Sequence, residues 1–170
     1  MKVKSLSHAG VTVSDFEKAV RWYWDTFRFP LIAEETMSAE QVDALHGLYG
    51  LKGVKLRLGF LLTPGGAVIE IFEFTPRLPS EPVKWNRPGI THITLDVRNV
   101  KKWYARLKEK GVEFCSEPQK TGVTDWVFMK DPDGNLIELI DMKFNYLALR
   151  WLGGIAGWVI KNTQFKNYYR

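Results

Sequence analysis

Ser7-His8-Ala9-Gly10-Val11-Thr12-Val13 and Thr91-His92-Ile93-Thr94-Leu95-Asp96-Val97 are one stretch written twice, 84 residues apart. Each holds a histidine, a valine five residues on, and then a turn leading into helix-like sequence. A second pair follows the same logic. Pro64-Gly65-Gly66-Ala67-Val68-Ile69-Glu70-Ile71 and Pro132-Asp133-Gly134-Asn135-Leu136-Ile137-Glu138-Leu139 share a turn, an isoleucine, a glutamate and an aliphatic residue, at an offset of 68. Self-similarity of this kind decides architecture before any local propensity does. The 16 residues by which the offsets differ fit an insertion in the first copy, which we assign to the polar, helix-prone stretch Ser38 to Leu48.

Working outward, each half reads as a strand, a helix and three more strands. Lys4–Val13 alternates as a half-buried strand does, and Ser14 or Asp15 can cap a helix carrying Phe16, Ala19, Val20 and Tyr23 at helical spacing. Leu31–Met37, Val54–Leu62 and Ala67–Phe74 are the strands after it. In the second half Ile90–Val97 is a strand, and Asn99 caps a helix that Gly111 ends. Val112–Cys115, Val123–Lys130 and Asn135–Met142 are the remaining strands. The expected fold class is α+β, built as two βαβββ modules. Module 1 covers about 1–76, a Pro-rich linker 77–87 and module 2 about 88–143, together one domain, with an aromatic-rich extension over 144–170.

Side chains in a strand alternate between its two faces. Ala9, Val11 and Val13 therefore share one face, and His8, Gly10 and Thr12 the other. Ile93, Leu95 and Val97 oppose His92; Ile69 and Ile71 oppose Glu70; Ile137 and Leu139 oppose Glu138. The aliphatic face suits a helix. The other carries a single imidazole or carboxylate per strand, at matching places in both repeats. If the halves pack about a pseudo-twofold axis, these four groups converge on one curved sheet. Two imidazoles and two carboxylates suit one divalent metal ion, with nickel, cobalt, zinc, manganese and iron all compatible. His46 has no counterpart in the other repeat and reads as surface.

At these residues the chain resembles the vicinal oxygen chelate superfamily, which includes glyoxalase I, methylmalonyl-CoA epimerase, extradiol dioxygenases and the fosfomycin- and bleomycin-resistance proteins. The resemblance runs from about Lys4 to Met142 and is carried by His8 with Val13-Ser14-Asp15, by Glu70, by His92, and by Asp131-Pro132-Asp133-Gly134-Asn135 leading to Glu138. It implies a cup-shaped mixed sheet and often a homodimer. It also implies His8, Glu70, His92 and Glu138 as metal ligands, with Glu138, or else Glu70, as the base that takes a proton next to a carbonyl. The ligand set is closest to that of bacterial glyoxalase I, since dioxygenases and fosfomycin enzymes lack a carboxylate at Glu70 and the epimerases usually place Gln there. Two positions depart from glyoxalase I. Thr12 stands where it typically has Arg, and Phe74 where it has Asn, which speaks against glutathione. A metal-dependent lyase or isomerase is the leading expectation. An epimerase-like enzyme and a non-catalytic resistance-type binding protein are the alternatives.

Thr12, Phe72 and Phe74 are expected on the substrate side, and the alternation of Lys55 and Arg57 with Val54, Leu56 and Leu58 predicts that both cations point there too. A net charge of +5 and a pI near 9.3 suit a small anionic substrate. Nucleic acid is not expected, because Lys and Arg are scattered and no reader motif is present. Cys115 is the only cysteine, so neither an internal disulfide nor a thiolate metal cluster can form. The opening residues lead at once into strand-like alternation rather than an apolar leader, which makes the cytoplasm the expected compartment. Arg150 interrupts the longest apolar run, Leu147 to Ile160, leaving it too short to span a membrane. In the tail Gly153-Gly154 and Gly157 argue against a helix stable by itself. Packing on the body, on a partner subunit or over the cup is expected of it before any contact with a membrane.

Overall fold

A computed structural model of the protein describes residue 3 and residues 5–169. The expected start of the first strand, Lys4, lies outside them. The elements run β1 (His8–Thr12), α1 (Phe16–Phe27), β2 (Leu31–Met37), α2 (Ala39–Ala44), α3 (His46–Tyr49), β3 (Lys55–Leu62) and β4 (Val68–Thr75). They continue with β5 (His92–Asp96), α4 (Val100–Glu109), β6 (Gln119–Thr121), β7 (Thr124–Lys130), β8 (Leu136–Asp141), α5 (Phe144–Asn162) and a 3-10 turn at Lys166–Tyr169. There are two four-stranded sheets of matching order, β1-β4-β3-β2 and β5-β8-β7-β6. The duplication read from the sequence is thus a duplication of sheets.

Backbone contacts divide the chain into two units, residues 1–93 with 130–137, and residues 94–129 with 138–170. In the first unit β1 runs parallel to β4, while β3 is antiparallel to both β4 and β2. Asp15 starts α1 by accepting a hydrogen bond from the Lys18 amide at 2.9 Å, and Arg28 ends it in the left-handed region at φ 62°. The helix buries Phe16, Ala19, Tyr23 and Phe27 over β4 and β3, where Ile69, Ile71 and Leu61 are also buried. Each buried Phe, Leu or Ile among them contributes about 1.5–3 kcal/mol when withdrawn from water. Gly59 of β3 makes room for this packing, because a Cβ there would lie 2.6 Å from Phe16 Cζ and 2.8 Å from Leu31 Cδ1.

Residues 130–137 join the first unit through the turn Asp131-Pro132-Asp133-Gly134-Asn135. Asp131 Oδ1 accepts from the amides of Asp133 and Asn135, both at 2.9 Å, and Oδ2 accepts from Asn135 Nδ2 at 2.9 Å. Tyr23 of α1 donates to the same Oδ2 at 3.3 Å, and Asn135 Nδ2 donates to the Thr12 carbonyl at 3.2 Å. Burial pushes the Asp131 carboxyl above its ordinary value, an effect that the hydrogen bonds from Asn135 and Asp133 partly oppose. The motif that helped to mark the family in the sequence is therefore a structural joint.

In the second unit Asn99 caps α4 by accepting from the Lys102 amide at 3.1 Å, and Val100, Leu107, Val127, Met129 and Leu139 are buried. The strand expected over Val112–Cys115 is reduced to one bridge, Phe114 to Met129. The fourth strand of this sheet is instead Gln119–Thr121, paired antiparallel to β7. Its sequence is too short and too polar to alternate visibly, and only the pairing with Trp126, Asp125 and Thr124 marks it. The tail departs from expectation as well: α5 runs through all three glycines. Among the described residues no helix is long and apolar enough to cross a membrane.

Candidate functional site

The parallel register of β1 on β4 places Gly10 beside Glu70 and Thr12 beside Phe72. His8, Gly10, Thr12, Glu70, Phe72 and Phe74 thus share the face turned away from α1, as alternation predicts. His8 Nε2 and Glu70 Oε2 stand 3.6 Å apart, with His8 about half exposed and Glu70 only 16% exposed. Gly10 beside them makes room for the Phe72 ring, since a Cβ there would lie 3.1 Å from Phe72 Cε2.

Each candidate histidine follows a hydroxyl residue that holds its ring. Ser7 Oγ lies 2.9 Å from His8 Nδ1, and Thr91 Oγ1 lies 2.8 Å from His92 Nδ1. A hydroxyl can accept from Nδ1–H, the tautomer that directs the Nε2 lone pair toward a cation. Sequence reasoning passed over both hydroxyls, although Ser7 and Thr91 sit at matching places in the two repeats. The His92 ring also lies 5.6 Å from the Trp85 ring. In the second unit the Thr94 hydroxyl donates to Glu138 Oε2 at 2.9 Å. Thr94 is the repeat's counterpart of Gly10, so one copy places a donor where the other makes room for the Phe72 ring.

Two donors bound to one first-row cation at about 2.0–2.2 Å stand about 3.0–3.4 Å apart, which the His8–Glu70 spacing approaches within a small rotation of either side chain. The chemistry of this pair suits a divalent metal. The structure brings His8 to Glu70, but among the described residues no three His, Cys, Asp or Glu side chains form a group able to hold a metal ion.

Arg57 is not on this face, and the expectation for it and for Lys55 is corrected by the register of β3. Arg57 pairs with Glu73 and Lys55 with Thr75, whereas Leu56, Leu58 and Phe60 stand beside Phe74, Phe72 and Glu70. The Arg57 guanidinium lies 4.1 Å from the centre of the Phe16 ring and bonds Glu34 at 2.7 Å and Glu17 at 3.4 Å. It is a strap over α1. The hydrogen bond to Glu34 raises its pKa further. Alternation correctly split the strand into two sets but assigned each to the wrong side, because leucines occur on both.

The reason leucines face this way is the insertion. Ser38 begins α2 with a reciprocal cap, its amide donating to Gln41 Oε1 at 2.7 Å. Val42 of α2 is fully buried with Leu56 and Leu58, and Tyr49, Leu51, Phe72 and Phe74 pack around them. The Tyr49 and Phe74 rings meet edge to face at 5.9 Å. The apolar wall expected of Phe72 and Phe74 is thus partly roofed by the insert. A cavity of about 320 Å³ remains beside it, lined by Thr12, Leu51, Phe74, Arg77 and Asn135 among others. Two of the expected substrate contacts, Thr12 and Phe74, border this space.

Paired sheets of this order, a histidine and a glutamate on adjacent parallel strands, and their repetition define a class. The family model described as the Glyoxalase/Bleomycin resistance protein/Dioxygenase superfamily matches residues 5–139, and the chain belongs to that superfamily. Among its relatives, the uncharacterized protein YwkD of Bacillus subtilis (strain 168) is 31% identical, over 83% of this chain and 99% of its own. A probable lactoylglutathione lyase of Synechocystis sp. is 26% identical, over 79% of this chain and 93% of its own. In three dimensions the chain is similar to a glyoxalase family protein from Bacillus cereus, with a TM-score of 0.67 at 20% identity, covering 83% of this chain and 95% of the other. It is also similar to the fosfomycin resistance protein FosX of Listeria monocytogenes, solved with Mn(II) and a dihydroxypropylphosphonic acid. That match has a TM-score of 0.59 at 20% identity and covers 85% of this chain and 98% of the other.

Proposed function

We propose that this protein is a metal-dependent lyase or isomerase of the glyoxalase type, which removes a proton next to a carbonyl of a small anionic substrate. The observation that carries the reading is the His8–Glu70 pair at 3.6 Å, with Ser7 on the far nitrogen of the imidazole. The repeat supplies a second hydroxyl–histidine pair and a second glutamate, as a duplicated half-site would. His8, Glu70, His92 and Glu138 would hold one divalent ion. A homodimer would complete that set, one copy giving His8 and Glu70 and the other His92 and Glu138. FosX, solved with Mn(II), supports a metal of this kind in the family.

The ion, when bound, supplies Lewis-acid polarisation of the substrate carbonyl. The protein's own part is to orient and to move a proton. Ser7 and Thr91 fix the imidazole rings. Glu138 is the base, and the Thr94 hydroxyl on its Oε2 holds the carboxylate in place while its other oxygen meets the proton. Glu70 is the alternative base. Phe74 and Leu51 bound the cavity whose rim carries Arg77, a cation for an anionic group, and Thr12 in its lining lies on β1 with His8.

The test is exchange of carbonyl-adjacent hydrogens for deuterium in a panel of small 2-oxo and 2-hydroxy carbonyl compounds, followed by NMR on metal-loaded protein. The reading expects exchange in at least one compound, lowered about 10²–10⁴-fold by Glu138→Gln with the metal retained. Exchange equal in the variant would remove Glu138 as the base. Stoichiometric metal with no exchange in any compound would favour a binding protein instead.

A further inference from the structure

The sequence favours packing of the tail against protein, yet the structure leaves its apolar residues in the open. On α5, Phe144, Leu147, Trp151, Ile155 and Trp158 recur at spacings of three and four, which places them on one stripe of the helix. Trp151 is 75% exposed, Ile155 69% and Trp158 68%, and Leu152 and Val159 beside them are exposed as well. Arg150 and Lys161 are eleven residues apart, so at 100° per residue they lie within about 20° of each other, on the side shared with Gly153, Gly154 and Gly157. Residues 144–170 contain four of the 24 Lys and Arg residues and none of the 19 Asp and Glu residues. They therefore carry four of the five net positive charges of the chain.

From this segregation we infer that α5 docks on an anionic lipid surface, lying in the plane of the membrane with its Trp151–Trp158 stripe inserted and Arg150 and Lys161 against the headgroups. Arg150 and Lys161 lie about 90° around the helix from the centre of the Trp151–Trp158 stripe, so the stripe can enter the interface while both cations reach the headgroups, and the helix is not apolar enough to span. At about 1.5 Å per residue its 19 residues reach about 28 Å along the surface. Charge disfavours the rival occupants. The tail of a second copy holds no Asp or Glu, so it offers these cations no acid to pair with. Three glycines weaken the helix in water, which suits a segment that firms up on contact with an interface. The segment also lies outside the 5–139 span of the family fold, so the fold does not account for it.

Co-sedimentation of the full chain with lipid vesicles tests this. The protein should pellet with vesicles of phosphatidylcholine and phosphatidylglycerol in equal parts, and stay in solution with phosphatidylcholine alone. Arg150→Glu with Lys161→Glu should weaken binding roughly tenfold or more, as should added salt. Trp151→Glu with Trp158→Glu should abolish it, and because all four side chains are exposed the fold should survive, as circular dichroism will check. Failure to pellet with either vesicle, equal pelleting with both, or charge-reversed protein that binds as well as the parent would each overturn the inference. So would an oligomer, measured by light scattering, that dissolves on Trp151→Glu with Trp158→Glu while neither vesicle is bound.

Discussion

Tyr23 shows how one residue ties two distant stretches together. Its ring is fully buried under α1, and its hydroxyl donates to Asp131, 108 residues on. Burial and the Asp131 charge push the Tyr23 pKa well up, so the hydroxyl stays a donor. Tyr23→Phe should cost about 1–2 kcal/mol in urea unfolding, the range for losing one hydrogen bond to a charged group at the long end of its distance. Asp131 shifts in the same direction, again through burial. Its folded pKa is raised, so its contribution to stability is fully present below the ordinary value of 3.8 and is lost as pH rises through the raised value. Asp131→Asn should flatten that part of a stability–pH profile. At the candidate site, Ser7→Ala should weaken metal binding about 10–100-fold, as loss of a group orienting a ligand does, with His8 itself untouched. Calorimetric titration with zinc or manganese would measure it, and unchanged affinity would remove Ser7 from the site.

Among the elements, β3 carries the plainest lesson about what sequence can and cannot disclose. Its alternation is real, yet Lys55-Leu56-Arg57-Leu58 has leucines toward the insert and arginine toward α1, reversing the usual sense. The cause is that both faces are covered, one by Phe16 and its neighbours and the other by Val42 and Tyr49, so polarity no longer marks the solvent side. A strand with one open face, such as β1 with His8, Gly10 and Thr12 exposed, was readable, and His8 and Glu70 fell where period two put them. Capping chemistry was equally legible, at Asp15 and Asn99, because it depends on neighbours in the sequence. What stayed hidden was β6, which exists only through its pairing, and the role of the Asp131 turn, which depends on Tyr23. The close packing over β3 leads to one more expectation. Gly59→Ala would drive a methyl group into Phe16 and Leu31 and should destabilise by about 1–3 kcal/mol in thermal or urea unfolding, Phe16 being too buried to yield.

For the molecule as a whole, the repeat is the fact from which the account of function grows. Duplication produced two sheets of one order, each bearing a hydroxyl-held histidine and a glutamate at matching places. The insert roofs part of one sheet's open face, and α5 adds a basic, aromatic segment beyond the shared fold. The proposed site would join His8 and Glu70 of one copy to His92 and Glu138 of a second around one divalent ion. Elemental analysis of untagged protein, joined to mixing of His8→Ala with His92→Ala chains, tests it most directly. About one ion per chain is expected in the parent and almost none in either variant alone. In a mixture, pairs that combine the two variants regain one intact site out of two. Metal content unchanged in both variants, or no recovery on mixing, would contradict it.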